Sequence, residues 1–309
     1  MSFSQQIKSE LCAAKFQCKH CKKAMIYGML FMSKTVTDNS IVINTENREV
    51  AQFLADGLVE YTGVIVTLNF PKIQERKKRP IYVVSVDDQR DIDTVLNIFF
   101  KRIPINKNSI SFGFFHNYCC QVSFLRGAYC IIGTTINPKK EYHFEFSLSN
   151  AKICSQMYIV ISQMSDDSLE IKQTRRNNFF VLYIKDSQQI EDILVYLGAT
   201  QCSMDLMNTK IEKQLRNSVN RRTNCETANI DKTVNASVLQ TRKINHIIKA
   251  KGIDFLRPEL KEAAILRLEN PDMSLTELCQ VANFEISRSG LNHRLKKICD
   301  LSDSIETTD

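Results

Sequence analysis

Apolar positions in the first hundred residues switch between a helical and a strand period. Over residues 4–15, Ile7, Leu11 and Ala14 fall at helical spacing, with Ser4 placed as the N-cap. A second helix is predicted over 20–34 (HCKKAMIYGMLFMSK), then a strand in IVINT, then a helix over 47–61 with Val50, Phe53, Leu54 and Leu58 on one face. VIVTLNF and IYVVSV read as paired strands around the basic turn QERKKRP, and a helix over 91–100 closes the unit.

The same order then recurs. A helix around FLRGAYCII leads into strands flanking the turn NPKK, of which EYHFEFSLS alternates apolar and polar residues. A helix over 150–164 carries Ile153, Met157 and Ile161, followed by SLEIKQ, the turn RRNN, FFVLYIK and a helix over 187–197. VVSVDDQRDIDTVL and VLYIKDSQQIEDIL align without a gap, pairing Val86 with Ile184, Ile92 with Ile190 and Leu96 with Leu194. Gly28 and Gly127 occupy matching places in the two copies, which makes this a duplicated αββαββα unit with halves of about 1–101 and 110–200. Glycine inside a helix costs about 1 kcal/mol relative to alanine. Its recurrence in both halves is explained if the two helices meet at a pseudo-two-fold axis, where close backbone approach requires a residue without a side chain. Gly198 is placed to C-cap the last helix of the domain.

Residues 201–252 form a basic segment in which Leu215, Val219, Val234, Val238 and Ile244 keep helical spacing, so a helical linker is expected. Residues 253–302 then read as three short helices. Pro258 opens the first, with Leu260, Ala264, Leu266 and Leu268 as its apolar stripe; Ser274 and Glu277 form a capping box for the second, with Leu275, Leu278 and Val281 inward; Ser287 caps the third, with Leu291, Leu295 and Ile298 inward. This spacing predicts a helix-turn-helix, with a three-helix protein-binding module as the alternative; residues 303–309 are left as a tail. The third helix leaves Ser287, Arg288, Ser289, Asn292, His293, Arg294, Lys296 and Lys297 for double-stranded DNA. Arg pairs with guanine and Asn with adenine, while the terminal lysines suit phosphates.

The net charge of +7 over 309 residues is carried by one stretch: Lys210 to Lys251 holds ten Lys and Arg against three acids. A concentrated basic segment implies a polyanion partner, and Arg221 and Arg222 are its candidate phosphate contacts. Two hairpin clusters, Arg76, Lys77, Lys78 and Arg79, and Arg175 and Arg176, offer a further DNA surface or simply solvated loop charge. The 43% hydrophobic and 24% charged composition suits two globular domains, and no run reaches the roughly 18 apolar residues of a membrane span. Eleven scattered cysteines fit reduced thiols in a cytoplasm. Cys18 and Cys21 have the spacing of half a zinc site, but no second CxxC follows; Cys119 and Cys120 are adjacent and lie in a helix start. They are therefore read as core or helix-end cysteines, no metal or cofactor is assigned, and stoichiometric zinc in the purified protein would overturn that. No phosphate-binding loop and no catalytic triad is present.

The duplicated glycine helices, the segment NSVNRRTNCETAN and the terminal SLTELCQVANFEISRSGLNHRLKKI together resemble the WhiA family of bacterial proteins. The resemblance covers essentially the whole chain. It implies an α+β fold: a duplicated LAGLIDADG-like αββαββα domain, a helical linker and an all-α helix-turn-helix domain. It also implies a cytoplasmic, nucleoid-associated transcriptional regulator connected with sporulation, cell division or chromosome segregation, and admits a sigma factor or another regulator as protein partner. Active LAGLIDADG enzymes end both motif helices with an acid, because two carboxylates hold divalent metal beside the scissile phosphates. Aligned through the two glycines, those positions are Ser33 and Ile132. The expectation is a helix-packing scaffold with no catalytic residue. A nonspecific nucleoid binder and an active metal-dependent nuclease are the alternatives, distinguished by sequence preference and by Mg²⁺-dependent nicking.

Overall fold

The computed structural model describes residues 1–70, 80–101, 104–164, 169–282 and 285–306. Capping chemistry decides where its helices begin. Ser2, not Ser4, caps α1 (Phe3–Ala13): its hydroxyl accepts the Gln5 N–H at 3.3 Å, and the Gln5 side chain accepts the Ser2 N–H at 3.1 Å. Ser4 instead donates to the Thr135 carbonyl at 2.7 Å, joining the two halves. α2 (Cys21–Met32) is buried all round from Ala24 to Met32, as a helix apolar on every face must be.

β1 (Val36–Thr37) and β2 (Ser40–Thr45) form a hairpin, and a two-residue strand is too short to show any alternation in sequence. α3 (Arg48–Thr62) starts at Asn47, whose side chain accepts the Val50 N–H at 3.0 Å, and stops at Gly63 with φ of 69°. β3 (Thr67–Asn69), β4 (Tyr82–Val86) and α4 (Gln89–Phe100) complete the first half.

The second half repeats it as α5 (Tyr118–Ile132), β5 (Gly133–Thr135), β6 (Phe144–Leu148), α6 (Ala151–Ser162), β7 (Lys172–Arg176), β8 (Phe179–Ile184) and α7 (Ser187–Leu197). Each half forms one antiparallel four-stranded sheet, with orders β1-β2-β4-β3 and β5-β6-β8-β7, which are the same order under the repeat. Asn177, at φ of 51°, supplies the left-handed residue of the tight β7–β8 turn. Arg175 and Arg176 thus lie in β7 and not in the turn. The aligned pairs Val86 and Ile184, Ile92 and Ile190, and Leu96 and Leu194 are all buried. Gly198 closes α7 at φ of 91°.

The axis prediction is met at atomic detail. A Cβ on Gly28 would lie 2.4 Å from the Phe124 carbonyl oxygen, and a Cβ on Gly127 would lie 2.0 Å from that of Met25. The contacts are reciprocal, because Phe124 stands to Gly127 as Met25 stands to Gly28. Two parallel backbones therefore touch across the pseudo-two-fold, and only glycine fits there.

α8 (Thr200–Lys251) is one continuous helix of 52 residues, and the chain divides into compact units Met1–Lys213 and Gln214–Asp309. In the first unit, the Glu10 carboxylate accepts the backbone N–H groups of Gln201 and Cys202 at 2.6 and 2.9 Å, an anion seated on a helix N-terminus. In the second, α9 (Pro258–Glu269), α10 (Leu275–Val281) and α11 (Arg288–Glu306) surround a core of Leu260, Ala264, Leu278, Leu291, Leu295 and Ile298. The end of α8 adds Ile244 and Ile247 to that core. Val281, expected inward, is 45% exposed.

Candidate nucleic-acid interface

The second unit is held in helix-turn-helix form by specific bonds. Ser274 and Glu277 make the expected capping box, at 2.7 and 3.3 Å. The turn between α9 and α10 is pinned by Arg267, which sequence reasoning missed. Its buried guanidinium donates to the carbonyls of Met273 at 2.6 Å and Asn270 at 3.4 Å. At the start of α11, the Ser287 hydroxyl accepts the Gly290 N–H at 3.1 Å.

At about 100° per residue, Arg288, Ser289, Asn292, His293, Lys296 and Lys297 fall within one half of the circumference of α11. All are exposed, and Leu291, Leu295 and Ile298 hold the opposite side in the core. The face presents a guanidinium, a carboxamide, an imidazole and two ammonium groups, which suit base edges at one end and phosphates at the other. Arg294 stands apart from it. Its guanidinium donates to the Glu259 carbonyl at 3.3 Å and lies 3.8 Å from the Glu262 carboxylate, so it braces α11 on α9.

Arg221 and Arg222 lie on the part of α8 that is exposed on every side, and Arg222 pairs along the helix with Glu226 at 2.9 Å. Leu215, Val219, Val234 and Val238 are exposed too. Their spacing correctly marked a helix but not a buried face. The cluster Arg76, Lys77, Lys78 and Arg79 lies outside the described residues. In β7, Arg176 reaches the Glu145 carboxylate at 3.3 Å, which also bonds His143 at 2.7 Å.

At the ends of α2 and α5, where a nuclease would hold divalent metal, the donors do not fit one. Ser33 turns its hydroxyl to Thr35 at 2.9 Å, and Ile132 offers only carbon. The adjoining cavity, about 270 Å³, is lined by Ser33, Lys34, Lys107, Asn108, Ile132 and Asn150 among others, with no carboxylate among its described lining. Lys107 instead donates its ammonium to the carbonyls of Leu30 at 3.0 Å and Ser33 at 2.5 Å, satisfying the end of α2 with a fixed cation. Burial lowers that ammonium to about 8.

Cys18 and Cys21 sit in a small buried cluster at the start of α2, Cys21 being its first residue. Cys119 and Cys120, at the start of α5, are brought to them, and the four sulfurs lie within 4.8 Å of one another.

Among the described residues no helix is long and apolar enough to cross a membrane. Known proteins agree with this architecture. The WhiA LAGLIDADG-like domain matches residues 121–216, and the WhiA C-terminal HTH domain, a DNA-binding module, matches residues 219–302. "Probable cell division protein WhiA" of Clostridium botulinum strain Hall is 33% identical over 319 residues, covering 99% of both chains. The protein of the same description from Ruminiclostridium cellulolyticum is 32% identical over 99% of this chain and 98% of its own. The crystal structure of full-length DUF199/WhiA from Thermotoga maritima shares the fold, with a TM-score of 0.54 and 23% identity over 98% of this chain and 99% of that one. A glycine-packed duplicated domain followed by a helix-turn-helix, with relatives this similar along their whole length, shows that the chain belongs to the WhiA family.

Proposed function

We propose that this protein is a sequence-specific regulator of transcription that binds double-stranded DNA through α11 and serves bacterial cell division, chromosome segregation or sporulation. One observation carries the reading: Arg288, Ser289, Asn292, His293, Lys296 and Lys297 form a single exposed face on the third helix of a helix-turn-helix. Its relatives' description as probable cell division proteins supports the biological setting. In this reading the basic stretch of α8, with Arg221 and Arg222, adds phosphate contacts without sequence preference, which supports association with the nucleoid.

The LAGLIDADG-like domain is a scaffold that does not cut DNA. Ser33 and Ile132 stand where metal-binding acids are needed, and Lys107 holds positive charge against the end of α2 where a dication would have to approach. A sigma factor or another regulator is a partner this domain could host.

The test is to retain fragmented host genomic DNA on the full-length protein near physiological salt with Mg²⁺ present, and to sequence what is bound. Intact fragments sharing a short motif are the expected result. Uniform retention would convert the reading to a nonspecific nucleoid binder, and new fragment ends at one site would mean the domain is a nuclease.

A further inference from the structure

Cys21 is the first residue of α2, seven residues before Gly28, and Cys120 in α5 lies seven residues before Gly127. Seven residues are close to two helical turns, so each cysteine shares the face of its packing glycine. The repeat that brings the glycines together therefore also brings Cys21 and Cys120 together, at the opposite end of the helix pair from Ser33 and Ile132. Each half then adds one more thiol, but by different local routes. The first uses the turn before α2, where the Cys21 N–H donates to the Cys18 carbonyl at 3.1 Å; the second uses Cys119, next in sequence to Cys120. Cys18 Sγ lies 3.4 Å from Cys21 Sγ and 3.6 Å from Cys120 Sγ.

These spacings are those of a tetrahedral thiolate site. With zinc–sulfur bonds of about 2.3 Å, the sulfurs of a Cys₄ site stand about 3.8 Å apart. All four sulfurs here are within 4.8 Å of one another, close enough to share one ion. We propose that Cys18, Cys21, Cys119 and Cys120 bind one zinc ion, which clamps the N-terminal ends of α2 and α5 across the pseudo-two-fold axis.

The surroundings support a doubly negative tetrathiolate. The His20 backbone N–H donates to the Cys18 sulfur. Four bare thiolates this close repel one another, and a dication at their centre removes the repulsion. As Zn²⁺ enters, each thiol still protonated gives its proton to solvent. Arg126, on α5, supplies the compensating charge. It is 7% exposed, interacts electrostatically with Cys21 and Cys119, and its buried Nε has no hydrogen-bond partner. A buried guanidinium with that vacancy is costly beside neutral thiols and is neutralised beside a tetrathiolate. The N-termini of α2 and α5 add their positive dipole ends. The His20 and His116 rings pack against each other, centroids 4.1 Å apart and planes tilted by 35°. Soft thiolate donors with no carboxylate select zinc over the hard cations of nuclease sites.

This site is independent of the DNA-binding reading, and so is its test. Full-length protein is purified under reducing conditions without added chelator, and its metals are counted by elemental mass spectrometry. Zinc close to one per chain is expected, released in step with mercurial titration of four thiols. Cobalt(II) substituted for it should show the intense visible bands of a tetrahedral tetrathiolate. Cys18→Ser and Cys120→Ser should each lose most of the zinc, while Cys225→Ser, at an exposed position of α8, keeps it. Should those two variants fail to fold, the wild-type metal count and cobalt spectrum decide alone. Protein that carries no zinc and gives no cobalt–thiolate spectrum after refolding with either metal overturns the proposal. So does a disulfide among the four cysteines in its place, or iron with sulfide.

Discussion

At the scale of single residues, the two axis glycines are the sharpest constraint in the molecule. A methyl group on Gly28 or Gly127 meets a carbonyl oxygen of the facing helix, and backbone cannot swing aside as a flexible side chain can. Gly28→Ala and Gly127→Ala are each expected to lower stability by about 1–3 kcal/mol, the usual cost of overpacking. Gly113→Ala, whose added Cβ meets nothing closer than 3.8 Å, should stay within about 0.5 kcal/mol of wild type. Denaturant unfolding of the three variants checks the ranking, and equal effects would contradict the axis contact. Lys107 gives a test through pH. Burial lowers its ammonium from the ordinary lysine value of 10.5 to about 8, so between those values the unfolded chain binds the extra proton. Stability from this group therefore rises with pH across that window: its buried charge opposes folding below pH 8, and the opposition fades above it. Against a Lys107→Met variant, the stability difference should move in favour of wild type as pH rises from about 7 to 10. A difference independent of pH would show that Lys107 stays fully charged or fully solvated. The glycines were legible in sequence because duplication printed them twice. Lys107 was not, because its partners Leu30 and Ser33 lie more than seventy residues away and nothing local marks it.

At the scale of elements, sequence reading succeeded where side chains set the boundary. Ser274 and Ser287 cap helices as predicted, Gly198 ends one, and the helices expected from 47 and 150 start at Asn47 and Asn150 caps. It failed where backbone pairing alone makes the element, as in β1, or where two candidate caps stood close together, as with Ser2 and Ser4. The helical period of α8 was also visible, but period does not report burial, and most of its central apolar residues face solvent. The cysteine site escaped for a related reason. Cys119 and Cys120 read as an adjacent pair in a helix start and are set aside for lacking the CxxC spacing, although the repeat that aligned the glycines also aligned Cys21 with Cys120. Within α11 the structure separates two roles that composition had merged. Arg288→Ala and Asn292→Ala should weaken binding to the recovered motif by about 1–3 kcal/mol and relax preference at one base position each, as loss of a bidentate contact does. Arg294→Ala should instead cost about 1 kcal/mol of stability, by removing the contacts to Glu259 and Glu262. Titration against motif variants and thermal unfolding distinguish the two classes. A specificity change in Arg294→Ala with unchanged unfolding would assign it to DNA.

At the scale of the whole molecule, the question is how the charge on α8 combines with the face of α11. The stretch from Lys210 to Lys251 accounts for the entire net charge of +7; its middle is exposed on all sides, so Arg216, Arg221, Arg222 and Lys232 are open to phosphate, whereas Lys210 and Lys243 are paired with Glu191 and Asp303. Contacts of this kind release counterions and do not read bases, whereas a carboxamide paired with a base, the role proposed for Asn292, releases none. The two terms are therefore separable by salt. If Arg221 and Arg222 each neutralise one phosphate, replacing both with alanine should reduce the magnitude of the slope of log K against log salt by about 1.8, and weaken motif and random DNA by the same factor. Asn292→Ala should leave the slope unchanged and weaken the motif alone. Arg222 already pairs with Glu226, so the release of Glu226 in the double variant works in the same direction by adding an unpaired negative charge near the duplex. Glu226→Gln in the wild-type background measures that contribution by itself. Were the double variant to keep the wild-type slope, the basic segment would be a solvated helix, and all phosphate contacts would belong to the helix-turn-helix unit and the other domain.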